Sequence, residues 1–413
     1  MEAYIYVLIM TVFIAMTLFD VFVSKLNSDA RDEPIPTVVD DIYDKEAYDK
    51  WKIYSRKQSD LSMFSRLFRF LFVLMMLMFG GFQALNLWAL DVGESVYTAT
   101  LLFFAILFLL ETLFSGVFSW INTFKIEGAF GFNTTTKKTF FKDSLINFFF
   151  TGAFLGGVLM LVLYLLETYE ALFMVLSFIV IFSVILIINM FYVKLIVPLF
   201  NKLTPLEDSD LKEKIDLLAK QEGYRVSSIK VMNASKRSTK LNAFFSGFGT
   251  FKIVVLYDTL LKAMSDEQIL GVLAHEIGHA KHKDILKNVI STAVMLLGLL
   301  VLFYVFINVE VIYSAFDLDG VTLGFGIVLF FIVVKPLMLL FSIFTNQKSR
   351  QWEFKADAFA VRAVGVSEME AALKILARKN FSNLTPHPLY VKLHYSHPPM
   401  DQRIKALREV KND

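Results

Sequence analysis

The stretch "VLAHEIGHAKHKDILKNVISTAVMLLGLLVLFYVFIN", residues 272 to 308, holds three of the chain's six histidines within eight residues and then runs into apolar sequence. His275 and His279 are four apart, so on a helix of 3.6 residues per turn both imidazoles project from one face and can share a metal ion. The apolar run 286 to 308 meets the roughly 20 residues that a helix needs to cross a bilayer. A metal-binding helix therefore meets a membrane span at this junction, and the fold must provide for both.

Composition agrees with a membrane fold. Of 413 residues, 56% are hydrophobic and 43 are Phe, far from the soluble average. The net charge is +2 and no basic stripe interleaves with aromatics, so nucleic acid is not an expected partner. With no cysteine, disulfides, thiolate metal sites and a Cys nucleophile are excluded, and any metal falls to His and carboxylate. The N-terminal "MEAYIYVLIMTVFIAMTLFDVFVSK" carries Glu2 in place of a basic leader and is long enough to span, which predicts a retained anchor.

Seven stretches qualify as spans: roughly 3 to 24, 65 to 88, 98 to 122, 145 to 166, 171 to 199, 286 to 308 and 322 to 345. The connections 89 to 97, 167 to 170 and 309 to 321 hold Asp91, Glu94, Glu167, Glu170, Glu310, Asp317 and Asp319 and no Lys or Arg. The alternate connections carry Lys137, Lys138, Lys142 and a dense lysine series through 202 to 252. By the positive-inside rule the N-terminus is outside and the C-terminus cytoplasmic, as an odd number of spans requires.

The predicted architecture is an all-α multi-pass membrane protein of seven transmembrane helices with a small cytoplasmic α+β domain. Residues 1–199 carry spans one to five with cytoplasmic loops 25–64 and 123–144. Residues 200–285 form one cytoplasmic segment, 286–345 carry spans six and seven, and 346–413 form a second cytoplasmic segment.

Within 200–285, "SDLKEKIDLLAKQEG" sets Leu211, Ile215 and Leu218 on one helical face and stops at Gly223. "IKVMN", "NAFFSGF" and "FKIVVLYDTLL" are β-branched and aromatic runs between turns, which predicts a small sheet. Ser265 then opens a helix with the capping box "SDEQ", and Asp266 and Glu267 suit its N-terminal dipole. The mixed-charge loop 25–64 has no pattern that assigns it a fold.

The capped helix carries H-E-x-x-H, the zincin pattern. Glu276 lies about 100° around from His275, within reach of a water activated by the metal, so it is the candidate general base and then acid for peptide hydrolysis. His282 is seven residues from His275. About 10 Å of helix rise separates the two, whereas a zinc–nitrogen bond is about 2 Å, so His282 belongs beside the site rather than in it. A third ligand must come from elsewhere. In "SRQWEFKADAFAV", residues 349 to 361, Glu353 and Asp357 project together; Glu353 can close the metal site while Asp357 orients a ligand imidazole.

These residues resemble the type I CAAX prenyl proteases, integral-membrane zinc endopeptidases. The likeness rests on "VPLFNKLTPLED", "SKRSTKLNAFFSGFG", "VVLYDTLL", "VLAHEIGH", "SRQWEFKADAFA" and "HYSHPPMDQRI", with "GFNTTT" at 131 to 136. It implies that His275, His279 and Glu353 bind one Zn²⁺ per chain, that Glu276 is the catalytic acid/base, and that Asp357 is a proton donor or a support for the ligands. It further implies that Asn242 and Ala243 on an edge strand pair with an extended substrate, that His397 stabilises the oxyanion, and that Arg403 braces the carboxylates.

The same resemblance implies seven helices around a water-filled chamber. Such an interior would receive Glu111 and Lys335, which fall near the middles of spans three and seven, while Asp20 and Lys194 near helix ends are expected to snorkel. Ala280 and Asp284 depart from the eukaryotic pattern of Trp and a further His, and "HAKHKD" is closer to HtpX-type bacterial proteases.

The expected function is a membrane-embedded zinc metalloendopeptidase acting on peptide or protein substrates that are prenylated, otherwise lipidated or membrane-associated. HtpX-like quality-control proteolysis is the alternative within the class. A non-enzymatic seven-helix receptor or transporter is the alternative outside it. Absent cysteine and short outer loops point to a bacterial inner membrane, and the endoplasmic reticulum membrane is the expectation for a eukaryotic source.

Overall fold

The computed structural model describes residues 1–169, 172–224, 227–246 and 253–410. Glu170, part of the acidic-loop reading, and residues 247 to 252 of the predicted sheet runs lie outside the described residues. Among the described residues seven helices are long and apolar enough to cross a membrane, in agreement with the expected multi-pass architecture. The first five lie in the N-terminal half, which runs α1 (Glu2–Asp29), α2 (Lys45–Met78), α3 (Gly81–Val92), α4 (Val96–Trp120), α5 (Lys137–Thr168), α6 (Phe173–Leu195) and the short α7 (Val197–Phe200). Of these, α3 and α7 are too short to span.

A small mixed domain follows: β1 (Leu203–Pro205), α8 (Asp210–Gln221), β2 (Ser228–Met232), β3 (Ala243–Ser246), β4 (Ile253–Tyr257), α9 (Asp258–Ala263) and α10 (Asp266–Lys281). The chain then returns through α11 (Asp284–Ile307), α12 (Glu310–Ser314) and α13 (Leu323–Val364), and ends in α14 (Val366–Asn380), α15 (Pro388–His394) and α16 (Met400–Glu409). The sheet order is β1-β2-β4-β3; only the β2–β4 pair is parallel. Strand β3 is thus an edge of the sheet as described, and it packs on α10 and α6. Strand β1 had no sequence signal, being three residues long and ending in Pro205, which an edge strand tolerates. The "DTLL" of the last predicted run is helical, as the start of α9.

Three departures from the predicted spans matter. The second span is not one helix over 65 to 88: it breaks at Gly80, whose φ of 66° is a left-handed conformation glycine adopts without cost. The seventh does not stop near 345. Helix α13 runs on for 42 residues, about 63 Å at 1.5 Å per residue and twice the roughly 30 Å of a bilayer core, so its second half projects beyond the membrane. The unassigned stretch 25–64 is helical at both ends, α1 running to Asp29 and α2 beginning at Lys45, and its middle part packs on the C-terminal segments. Val39, Ile42, Tyr43 and Trp51 are buried in one core with Ala274 and Ile277 of α10, Ala360 and Val361 of α13, and Leu407 of α16. Tyr43 Oη donates to the Ala377 and Ser382 carbonyls at 3.0 Å, and Trp51 Nε1 to the Phe381 carbonyl at 3.1 Å.

Among the spans lies a cavity of about 740 Å³ lined by Asp20, Arg66, Arg69, Asn122 and Lys335. Lys335 reaches it as expected and pairs with Asp20 at 2.8 Å. Asp20 therefore does not snorkel to the surface; a buried-side partner is the cheaper way to hold a carboxylate in a membrane helix. Glu111 meets the cavity only through Arg69, which binds both its oxygens at 2.7 and 3.2 Å. Lys194 sits in the last turn of α6.

Candidate active site

Helix α10 is built to be held still. Ser265 accepts from Gln268 N while Gln268 Oε1 accepts from Ser265 N, so two of the amides left unpaired at a helix start are satisfied. Ile269, Leu273, Ala274 and Ile277 are essentially inaccessible and fix the rotation of the helix. Gly278 faces α13 so closely that a Cβ there would lie 3.0 Å from Ala356 Cα and 3.2 Å from Phe359 Cβ. Any side chain there would push against α13, and the crossing carries Glu353 to the two histidines.

His275 Nε2 and His279 Nε2 stand 3.1 Å apart. Glu353 Oε1 is 3.2 Å from His279 Nε2, and Glu353 Oε2 is 3.5 Å from His275 Nε2. A metal 2.0–2.1 Å from tetrahedrally disposed ligands has ligand–ligand edges of about 3.3 Å, so these spacings match. Among the described residues this is the group of His and acid side chains that could hold a metal ion.

The second ring nitrogens explain why an ion belongs there. His275 Nδ1 lies 2.8 Å from Asp357 Oδ1, and His279 Nδ1 lies 3.0 Å from Asp284 Oδ2. Carboxylates only accept, so His279 Nδ1, hydrogen-bonded to Asp284, carries the proton and its Nε2 is left as a lone pair; His275 Nδ1 lies close to Asp357 but outside hydrogen-bonding geometry. Two Nε2 atoms and a carboxylate then converge, an arrangement that a cation satisfies. Without one, a proton takes its place. Burial pushes the His275 imidazole down, but Asp357 and Glu353 outweigh it and raise its pKa to about 9. His279 moves up for the same reason, with Glu353 as the principal cause against burial.

The remaining predicted residues fall as follows. Glu276 is partly buried, and burial raises its carboxyl above the ordinary 4.5 against the opposing charges of His275 and His279. Asp357 is 1% exposed and both its oxygens are taken by Arg403, at 2.8 and 2.6 Å, with His275 sharing one. That is the surrounding of an orienting group; nothing of Asp357 is open to donate a proton to substrate. Arg403 also reaches within 3.8 Å of Glu353. His397 Nδ1 is 2.8 Å from Glu353 Oε2 with most of its side chain exposed, so it can also meet a ligand. Asn242 is exposed just before β3, while the Ala243 side chain is buried and only its backbone can serve a partner. His282 caps the end of α10 outside the three-residue group.

Sequence reasoning missed two contributors. Gly278 carried a signal only in hindsight, as the small residue inside the motif. Asp284 was noticed as a departure from the eukaryotic pattern, but nothing in a linear spacing of five says that the chain reverses after Lys283.

Seven membrane helices and a His-His-Glu group on the flank of the bundle define a membrane-embedded metallopeptidase. Comparison with known proteins specifies it. Residues 25–202 match the family described as CAAX prenyl protease N-terminal, five membrane helices, and residues 205–411 match peptidase family M48. The mouse CAAX prenyl protease 1 homolog is 30% identical across 92% of this chain and 90% of its own. The CAAX prenyl protease 1 of Saccharomyces cerevisiae is also 30% identical, over 91% and 89%. The crystal structure of S. mikatae Ste24p superposes with a TM-score of 0.91 at 29% identity, covering 98% of this chain and 99% of that one. The chain belongs to peptidase family M48, and within it is a membrane metalloprotease of the CAAX prenyl protease 1 type. A receptor or transporter reading is thereby set aside.

Proposed function

We propose that this protein is a zinc endopeptidase that cleaves prenylated or otherwise lipidated peptides at the membrane surface, with His275, His279 and Glu353 as the zinc ligands. The observation that carries the reading is the convergence of those three side chains, at tetrahedral spacing, beside Glu276. Bound there, zinc supplies a Lewis acid that polarises the scissile carbonyl and makes water a nucleophile near neutral pH.

The chain's own residues supply the rest. Glu276 takes a proton from the attacking water and returns it to the leaving amine as the carbon–nitrogen bond breaks. His397 donates to the carbonyl oxygen as negative charge develops on it. The open edge of β3, entered at Asn242 and Ala243, pairs with the substrate backbone and holds it extended. Asp357, clamped by Arg403, fixes the His275 ring.

The loop charges support a chain that begins outside and ends in the cytoplasm, in a bacterial inner membrane or an endoplasmic reticulum membrane. Since the protein has no cysteine, single cysteines introduced at Asp91 and Lys405 report the two faces by labelling of intact vesicles. The function is tested with purified protein and a prenylated peptide. About one zinc per chain is expected, and Glu276→Gln should keep that zinc while lowering kcat by roughly 10²–10⁴. Equal cleavage by Glu276→Gln and wild type, unaffected by chelator, would refute it. Mass spectrometry of membranes with and without active enzyme separates C-terminal processing of lipidated proteins from general membrane-protein turnover.

A further inference from the structure

The geometry points to Asp284 as the positioning residue for His279, an assignment that rests on the reading of His275, His279 and Glu353 as the metal ligands. Five residues on along an unbroken helix, Asp284 would lie about 140° around from His279 and could not face its ring. The chain prevents this by ending α10 at Lys281 and placing Lys283 in the left-handed region, φ 58°, before α11 begins at Asp284. A non-glycine residue there costs on the order of 1 kcal/mol, so the reversal persists because something offsets it.

What it secures is a carboxylate that is only 5% exposed and fully engaged. Oδ2 lies 3.0 Å from His279 Nδ1, and Oδ1 accepts from Lys287 Nζ at 2.8 Å. Lys287 in turn lies over the Trp352 ring, 5.3 Å from its centroid, and Trp352 neighbours the ligand Glu353 on α13. As the first residue of α11, Asp284 also faces the positive end of that helix. The arrangement repeats the one at His275, where Asp357 lies beside Nδ1 and Arg403 holds Asp357. Each imidazole thus has a carboxylate beside its Nδ1, hydrogen-bonded at His279 and in close contact at His275, and each carboxylate is held by a cation. At His279 the lock belongs to the first turn of a membrane-spanning helix.

The experiment uses the full-length protein in detergent, with Asp284→Asn, Asp284→Ala and Asp284→Glu. Zinc affinity is read by competition with a chelator, kcat and KM on a peptide at saturating zinc, and melting temperature with zinc stripped. Asp284→Asn should weaken zinc binding about 10-fold and Asp284→Ala up to about 100-fold, with kcat lowered and KM unchanged. Asp284→Glu should recover part of the affinity. The melting temperature of stripped Asp284→Asn should fall only by the small amount that the lost Lys287 and helix-start contacts cost, less than would match the loss of zinc affinity. Zinc affinity within twofold of wild type in both Asn and Ala variants overturns the assignment. So does a loss of affinity matched by a fall in the stripped protein's melting temperature, which would mark Asp284 as a helix-start residue only. A wild type that takes up no zinc overturns the metal reading beneath it as well.

Discussion

The two histidines proposed as metal ligands are supported alike in chemistry and unlike in environment. Behind His275 stand Asp357 and Arg403, whose side chains are 1% and 11% exposed and joined by two parallel hydrogen bonds. Behind His279 stand Asp284 and Lys287, 6% and 41% exposed and joined by one. A bidentate guanidinium–carboxylate pair in a dry interior is strong and unforgiving, because removing either partner strands a charge. A lysine at the rim keeps its hydration and contributes little. The interior half of the site is therefore a stability element as well as a functional one, and the rim half acts on the metal with little effect on the fold.

Replacing Arg403 with Met should break the comparison hardest. It leaves Asp357 charged and buried, and a loss on the order of 3–5 kcal/mol is expected in thermal or denaturant unfolding. Adding Asp357→Leu should return part of that loss even though the metal site stays impaired; no recovery would mean the pair is not what the residues share. Gly278→Val acts on both halves by forcing α13 off α10. A cost of about 1–3 kcal/mol and reduced zinc uptake are expected, and unchanged zinc content would show that the crossing does not set the ligand spacing. Lys287→Leu is the smallest step, below about 1 kcal/mol, and an effect as large as that of Arg403→Met would erase the distinction.

Two pH experiments sharpen the same contrast. The raised pKa of His275 means that the metal-free folded state holds a proton the unfolded chain would lose. That stabilisation is fully present below the ordinary 6.5 and is lost as pH rises through about 9. Zinc-stripped protein should accordingly melt lower at pH 10 than at pH 6, and zinc uptake at neutral pH should release roughly one to two protons into weak buffer. Glu276 must be ionised to accept a proton, so kcat/KM of the zinc-loaded enzyme should show an acidic limb. Conversion of Glu276 to Gln should remove the limb from the residual activity.

Much of this was readable in the chain itself. The seven spans, the capping box at Ser265 and the strands β2, β3 and β4 follow from local period and turn chemistry, which sequence records directly. The pairing of His275 and His279 follows from a four-residue spacing on one helix. The approach of Glu353 to them was readable only as a coincidence of position, since both segments begin at the same membrane face.

What stayed hidden depends on long-range geometry. Residues 30 to 54 look polar and aperiodic, yet Val39, Ile42, Tyr43 and Trp51 each enter a core built by α10, α13 and α16. Single apolar residues at irregular intervals leave no period to detect. Asp284 was hidden by one φ angle at Lys283, and Asp20 by a partner more than 300 residues away.

Helix α13 crosses the bilayer and bears Glu353 on the continuous helical stretch that follows its interior Pro336. Glu353 lies 18 residues beyond Lys335, about 27 Å farther along the axis, so a 5° tilt of the rod in a thinner bilayer would swing its carboxylate by about 2 Å. Coordination tolerates displacements of only about 0.2 Å. The Gly278 contact ties α13 to α10 at Ala356, three residues beyond Glu353, so the ligand spacing is set at that crossing and not by the tilt of the span.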